Sequence, residues 1–94
     1  MMLLKVNGET SVMKDTSLKA MQEAVGGCIE IIRLPKTCRL FGLHVLLDGA
    51  DLMVLDEEGK LKSKPVNEIA TMIADNPNDD IVGDVLIAED WEIV

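Results

Sequence analysis

The segment LMVLDEEGKLKSKPVNEIATMI, residues 52–73, carries the information that decides the fold. Leu52 to Leu55 is an unbroken apolar run of strand length. Asp56-Glu57-Glu58-Gly59 follows as a turn, rich in the residue types that turns use. Lys60-Leu61-Lys62 alternates polar and apolar, the pattern of a half-exposed edge strand. Pro65 fits the first position of a helix, where its missing N–H costs nothing. Val66, Ile69, Ala70 and Ile73 then recur at i, i+3, i+4 and i+7, one face of an amphipathic helix. Strand, turn and helix in 22 residues point to a sheet with helices laid on it.

The flanks extend this pattern. Upstream, Asp48-Gly49 is a hairpin signal that joins an apolar run, Leu40 to Leu47, to Leu52–Leu55. Downstream, Asn76-Pro77 closes the helix, and Asp80 to Ala88 reads as a final strand. Gly83 inside that strand marks a bulge or a close backbone approach. Trp91 is placed to cap the core with its N–H at an edge.

The first half repeats the theme. Met2 to Val6 reads as a strand, Asn7-Gly8 as a type I′ turn and Val12-Met13 as the return strand. Asp15-Thr16-Ser17 offers side-chain acceptors for a helix start. Leu18, Met21, Ala24 and Val25 give that helix an apolar face, and Gly26-Gly27 ends it. Cys28 to Leu34 is a strand that Pro35 stops. The expected class is α+β: a single small domain, residues 1–94, mostly antiparallel sheet with two helices packed on one face.

Composition limits the function. The chain carries 9 Lys and Arg against 17 Asp and Glu, a net charge of −8, with one Phe, one Trp and no Tyr. Direct nucleic-acid binding is not expected, because phosphate contacts need clustered basic residues and single strands need aromatic platforms. The 48% apolar share is too high for a disordered chain. The acid is concentrated. Residues 1–50 hold six basic and five acidic residues, and residues 51–94 hold three lysines and twelve acids. This half is either a solvated face or a negative surface that meets a basic partner. No apolar run is long enough to span a bilayer, and Met1 to Val6 has no cleavage-site pattern, so a cytoplasmic protein is expected. Cys28 and Cys38 are read as free thiols.

Catalytic signatures are few. There is no glycine-rich phosphate loop: Gly59-Lys60 lacks the upstream glycine. His44 with two cysteines falls short of the four ligands of structural zinc, and a pairing of His44 with Cys28 or Cys38 has no identifiable orienting group. The acidic run from Asp75 to Asp80 fails the calcium-loop template, with Pro77 at the third position and Leu86 at the twelfth. No metal, no cofactor and no enzymatic activity are expected. Asn67, just after Pro65, either fixes the start of the second helix or presents a polar group at a helix N-terminus.

Three segments carry a resemblance. They are L-x-x-M-Q-x-x-V-G-G-x-I-E (Leu18 to Glu30), D-E-E-G-K-L-x-x-x-P-V-N (Asp56 to Asn67) and D-I-V-G-D (Asp80 to Asp84). In this order and spacing the chain resembles a family of small, functionally uncharacterised proteins of bacteriophages, prophages and mobile elements, catalogued as a domain of unknown function. The resemblance implies that Gly26, Gly27, Gly59 and Gly83 are structural turns. It singles out Glu30, Lys60, Asn67 and Asp84 as candidate binding residues. Glu68 departs from the basic residue that relatives carry after the Asn, and the loop from Pro35 to Gly42 matches nothing in the pattern. A carboxylate inside a strand is costly to bury unpaired, so Lys60 is the expected partner of Glu30 or Asp84, in a structural ion pair or a ligand site.

The expected function is that of a non-enzymatic accessory protein of a phage or mobile element that binds a host protein, through its acidic C-terminal half. A DNA-mimic inhibitor is a special case. A small-molecule or nucleotide-signal binder is the alternative, with Trp91, Phe41, Arg33, Arg39 and Lys60 as its thin inventory. A structural oligomer subunit is a third reading, and a homodimer is compatible with all three.

Overall fold

A computed structural model describes residues 1–34, 51–74, 79–89 and 92. Among the described residues seven elements appear in chain order: β1 (Met2–Leu4), β2 (Thr10–Val12), α1 (Leu18–Val25), β3 (Ile29–Arg33), β4 (Leu52–Asp56), α2 (Glu68–Ala74) and β5 (Val85–Ala88). The strands form one sheet in the order β2-β1-β5-β4-β3, antiparallel at every pairing. The last strand is therefore inserted at the centre, between the first strand and the fourth.

β4 and β5 are buried at every position. The reason is two-sided cover. On one face Leu4, Met53, Leu55, Val85 and Ile87 pack with Ala70 and Ile73 of α2. On the other face Val54 and Leu86 pack with Met21 and Val25 of α1. The helices thus lie on opposite faces of the sheet, which corrects the expectation of one shared face. A strand covered on both sides has no polar alternation, because neither row of side chains meets water. Each fully buried side chain of this size, Leu86 for example, contributes about 2 kcal/mol by area removed from water.

Three local expectations are corrected. The β1–β2 loop is not a two-residue type I′ turn. Gly8 N–H donates to Lys5 O, Lys5 N–H donates to Glu9 O, and Gly8 alone has a positive φ, +90°. That is a three-residue loop with glycine at the left-handed position. Lys60-Leu61-Lys62 is not a strand. Lys62 N–H donates to Glu58 O and Lys64 N–H to Gly59 O, winding residues 57–63 into a compact turn. Pro65 does not open the second helix. It and Val66 run extended beside residues 81–83: Gly83 N–H donates to Pro65 O, and Val66 bridges Val82. The final strand is correspondingly shorter than 80–88, with residues 81–83 given over to this contact. The Leu40–Leu47 run, Asp48-Gly49, Asn76-Pro77, Trp91, His44 and Cys38 lie outside the described residues.

Candidate functional site

The turn after β4 exists to return two lysines to the strand they left. Asp56 ends β4 with its side chain buried. Its carboxylate accepts from Lys62 Nζ at 2.9 Å, from Lys64 Nζ at 2.7 Å and from Glu58 N–H at 2.9 Å. Burial pushes the Asp56 carboxyl up, but the hydrogen bonds from Lys64, Lys62 and the Glu58 N–H together outweigh it and hold it well below the usual range. Hydrogen bonding to Asp56 raises Lys62 in turn. The same ammonium groups reach the end of α1. Lys64 Nζ donates to Val25 O at 2.6 Å and Lys62 Nζ to Gly26 O at 3.1 Å. α1 has no basic residue in its last turn, so these lysines supply the charge that a helix C-terminus favours. Gly26 sits there with φ +89°, and its N–H donates to Gln22 O. Gly27 beside it leaves no room for a side chain: a Cβ would stand 2.9 Å from Asp56 Oδ1. The sequence does not announce this knot, because Asp56 reads there only as part of a turn.

Asn67 is buried and fully engaged. Its Oδ1 accepts from Ala70 N–H at 3.1 Å, which caps α2. Its Nδ2 donates to Leu4 O at 3.2 Å and Gly83 O at 3.0 Å, tying the helix start to β1 and to the entry of β5. The helix-fixing reading of Asn67 describes this geometry. Gly83, with φ +77°, lies in the left-handed region where a Cβ is disfavoured, and a side chain would meet Lys64 Cδ at 2.9 Å. Asp84 accepts from Val6 N–H at 2.9 Å and so anchors the β1–β2 loop. Gly59 donates its N–H to Asp56 O within the turn.

Glu30 and Lys60 come to one place without pairing. Glu30 is exposed on β3, opposite Leu55, so no burial cost arises. Lys60 pairs with Asp79, not with Glu30 or Asp84 as expected. All three of Glu30, Lys60 and Asp79 line a cleft of about 360 Å³ at one end of the sheet. Its apolar lining includes Ile32, Leu55 and Ile81, and its polar lining includes Arg33, Glu57 and Asp80. Four of the candidate residues therefore divide in two: Asn67 and Asp84 serve backbone contacts, and Glu30 and Lys60 share a cleft. Among the described residues no group of three His, Cys, Asp or Glu is placed to hold a metal ion, and no helix is long and apolar enough to cross a membrane. Cys28 is a free, exposed thiol.

Comparison with known proteins gives a family. The family model described as "Domain of unknown function (DUF3846)" matches residues 1–92, and the chain belongs to that family. No curated protein and no solved structure matches it.

Proposed function

We propose that this chain is a non-enzymatic accessory protein of a phage or mobile element that acts by binding a protein partner through acids of its second half. One observation carries this reading. Among the described acids of that half, some hold the fold and three face outward together. Asp56 and Asp84 are spent on internal contacts. Glu57, Asp79 and Asp80 are exposed and converge, with Glu30, on the cleft described above. A lining in which carboxylates outnumber Arg33 and Lys60, beside an apolar floor, suits recognition of a basic segment. The DNA-mimic special case draws less support, since Asp56 and Asp84 do not face a partner.

A second reading has one observation in its favour. The cleft gathers polar groups of both signs, Arg33 and Lys60 beside the carboxylates, as a small-molecule site does. Affinity capture from bacterial lysate separates the two. Wild-type protein should retain a discrete protein that salt releases, and a Glu57→Gln, Asp79→Asn, Asp80→Asn variant should not. Equal capture by both sinks the acidic-surface reading. A small molecule recovered from the wild type alone, with no protein, favours the second.

A further inference from the structure

The cleft at the end of the sheet matches a particular side-chain shape. Its floor is aliphatic, from Ile32, Leu55 and Ile81, and its rim carries Glu30, Asp79 and Asp80 beside Arg33 and Lys60. Lysine and arginine bury a hydrocarbon stem along apolar surface while the charged head stays at a polar edge. The cleft already holds one such head, the Lys60 ammonium on Asp79. Both members of that pair are about half exposed, at 58% and 49%. A pair this exposed contributes little and exchanges at little cost. Among the described residues Glu30 and Asp80 have no ion pair of their own, so an entering cation breaks no existing contact there. By contrast the Asp56 carboxylate, which also borders the cleft, is already matched by two lysines.

We infer that a lysine- or arginine-bearing segment of a partner protein seats a side chain in this cleft and displaces Lys60 from Asp79. Lys60 is then an internal competitor that sets the threshold for binding. This rests on the reading that the chain binds a basic partner through its acids. The charge balance decides the occupant: Glu30, Glu57, Asp79 and Asp80 outnumber Arg33 and Lys60 along the lining, so a carboxylate-bearing segment meets net like charge, which repels it.

The test uses the full chain and a fluorescein-labelled octalysine peptide, followed by fluorescence anisotropy, with amide chemical shifts to locate the contact. Glu30→Gln with Asp80→Asn should weaken binding by about tenfold, the loss of two charge contacts at a partly desolvated site. Glu9→Gln with Glu23→Gln removes as much charge elsewhere and should change it by less than about twofold. Lys60→Gln should tighten it by about fivefold, since it removes both the competitor and a like charge. All sites are exposed, and retained amide dispersion confirms folding. Equal weakening by the two double variants overturns the cleft as the site. An unchanged affinity in Lys60→Gln, with Glu30→Gln/Asp80→Asn still weak, overturns the competitor role and leaves the partner reading standing. Failure of wild type to bind octalysine at all overturns both. Stronger binding of spermine or octaglutamate than of octalysine overturns the assignment to a basic peptide segment.

Discussion

Asp56 and Asn67 are the two buried polar side chains among the described residues, and each holds several partners at once. Asp56→Ala removes an acceptor from two ammonium groups and one N–H. The lysines are partly exposed and recover water, so the cost falls below that of a fully buried pair, at about 2–3 kcal/mol in chemical denaturation. The pH dependence has a definite sign. The carboxyl titrates near 3.8 when free and well below that in the folded chain. The unfolded state therefore takes up a proton first as the pH drops. The contribution of Asp56 is complete above the unfolded value and is lost as pH falls toward the folded one. Between about pH 5 and pH 2, wild type should lose stability more steeply than Asp56→Asn, measured by urea midpoints. Asn67 responds differently. Asp is as good an N-cap as Asn in general, yet Asn67→Asp places a second oxygen against the carbonyls of Leu4 and Gly83. At neutral pH it should destabilise by at least the about 2–3 kcal/mol expected of Asn67→Ala. Lowering the pH should narrow that gap, because a protonated carboxyl regains one donor. A gap that is constant with pH would show that Nδ2 contributes nothing to the tie.

At the scale of elements, α1 depends on residues that lie far from it in sequence. Ser17 caps its start, with its hydroxyl oxygen accepting from Ala20 N–H, but its C-terminal carbonyls rely on Lys62 and Lys64. Lys62→Ala with Lys64→Ala should therefore do two things. It should cost about 3 kcal/mol, because Asp56 is left buried without a cation. It should also speed amide exchange at Gly26 and Gly27 more than at the start of α1. Equal exchange along the helix would separate the lysines from the cap. This dependence explains which features were legible beforehand. The helix face of Met21, Ala24 and Val25, the Ser17 cap and the Gly26 end are local signals and appear where their spacing put them, whereas Leu18, expected on the same face, is exposed. The turn at 57–63 was not legible as such. Three lysines stand in five positions there, and alternation alone favours an edge strand; only the buried carboxylate six residues before Lys62 makes the winding favourable. Glu30 and Lys60 line one cleft without the ion pair expected of Lys60 with Glu30 or Asp84, because Lys60 pairs with Asp79, which lies beyond α2 in the chain.

The whole molecule is a sheet between two unequal cores. Among the described residues the α2 side buries nine side chains in one cluster and the α1 side four, so this part of the sheet is held mainly from one face. The signal for two-sided cover was present in the sequence as the unalternating runs of Leu52–Leu55 and Val85–Ala88, since a strand with one wet face would alternate. What those runs could not indicate is which helix covers which side, because both faces of such a strand are equally apolar. The imbalance has a measurable consequence. Ile73, fully buried in the larger cluster, should cost about 3–4 kcal/mol when replaced by Ala, and the loss should appear as a global shift in every probe. Met21→Ala in the smaller cluster should cost less, about 2 kcal/mol, because the site borders partly exposed Met1 and Met13 that can settle into the space. Hydrogen exchange should rank the elements the same way. β4 and β5, central and covered on both sides, should exchange only through global unfolding, and β2, exposed at all three positions, should open first. If Met21→Ala accelerated exchange in β5 as much as Ile73→Ala does, the two faces would form one cooperative core, and α1 would be as necessary to the sheet as α2.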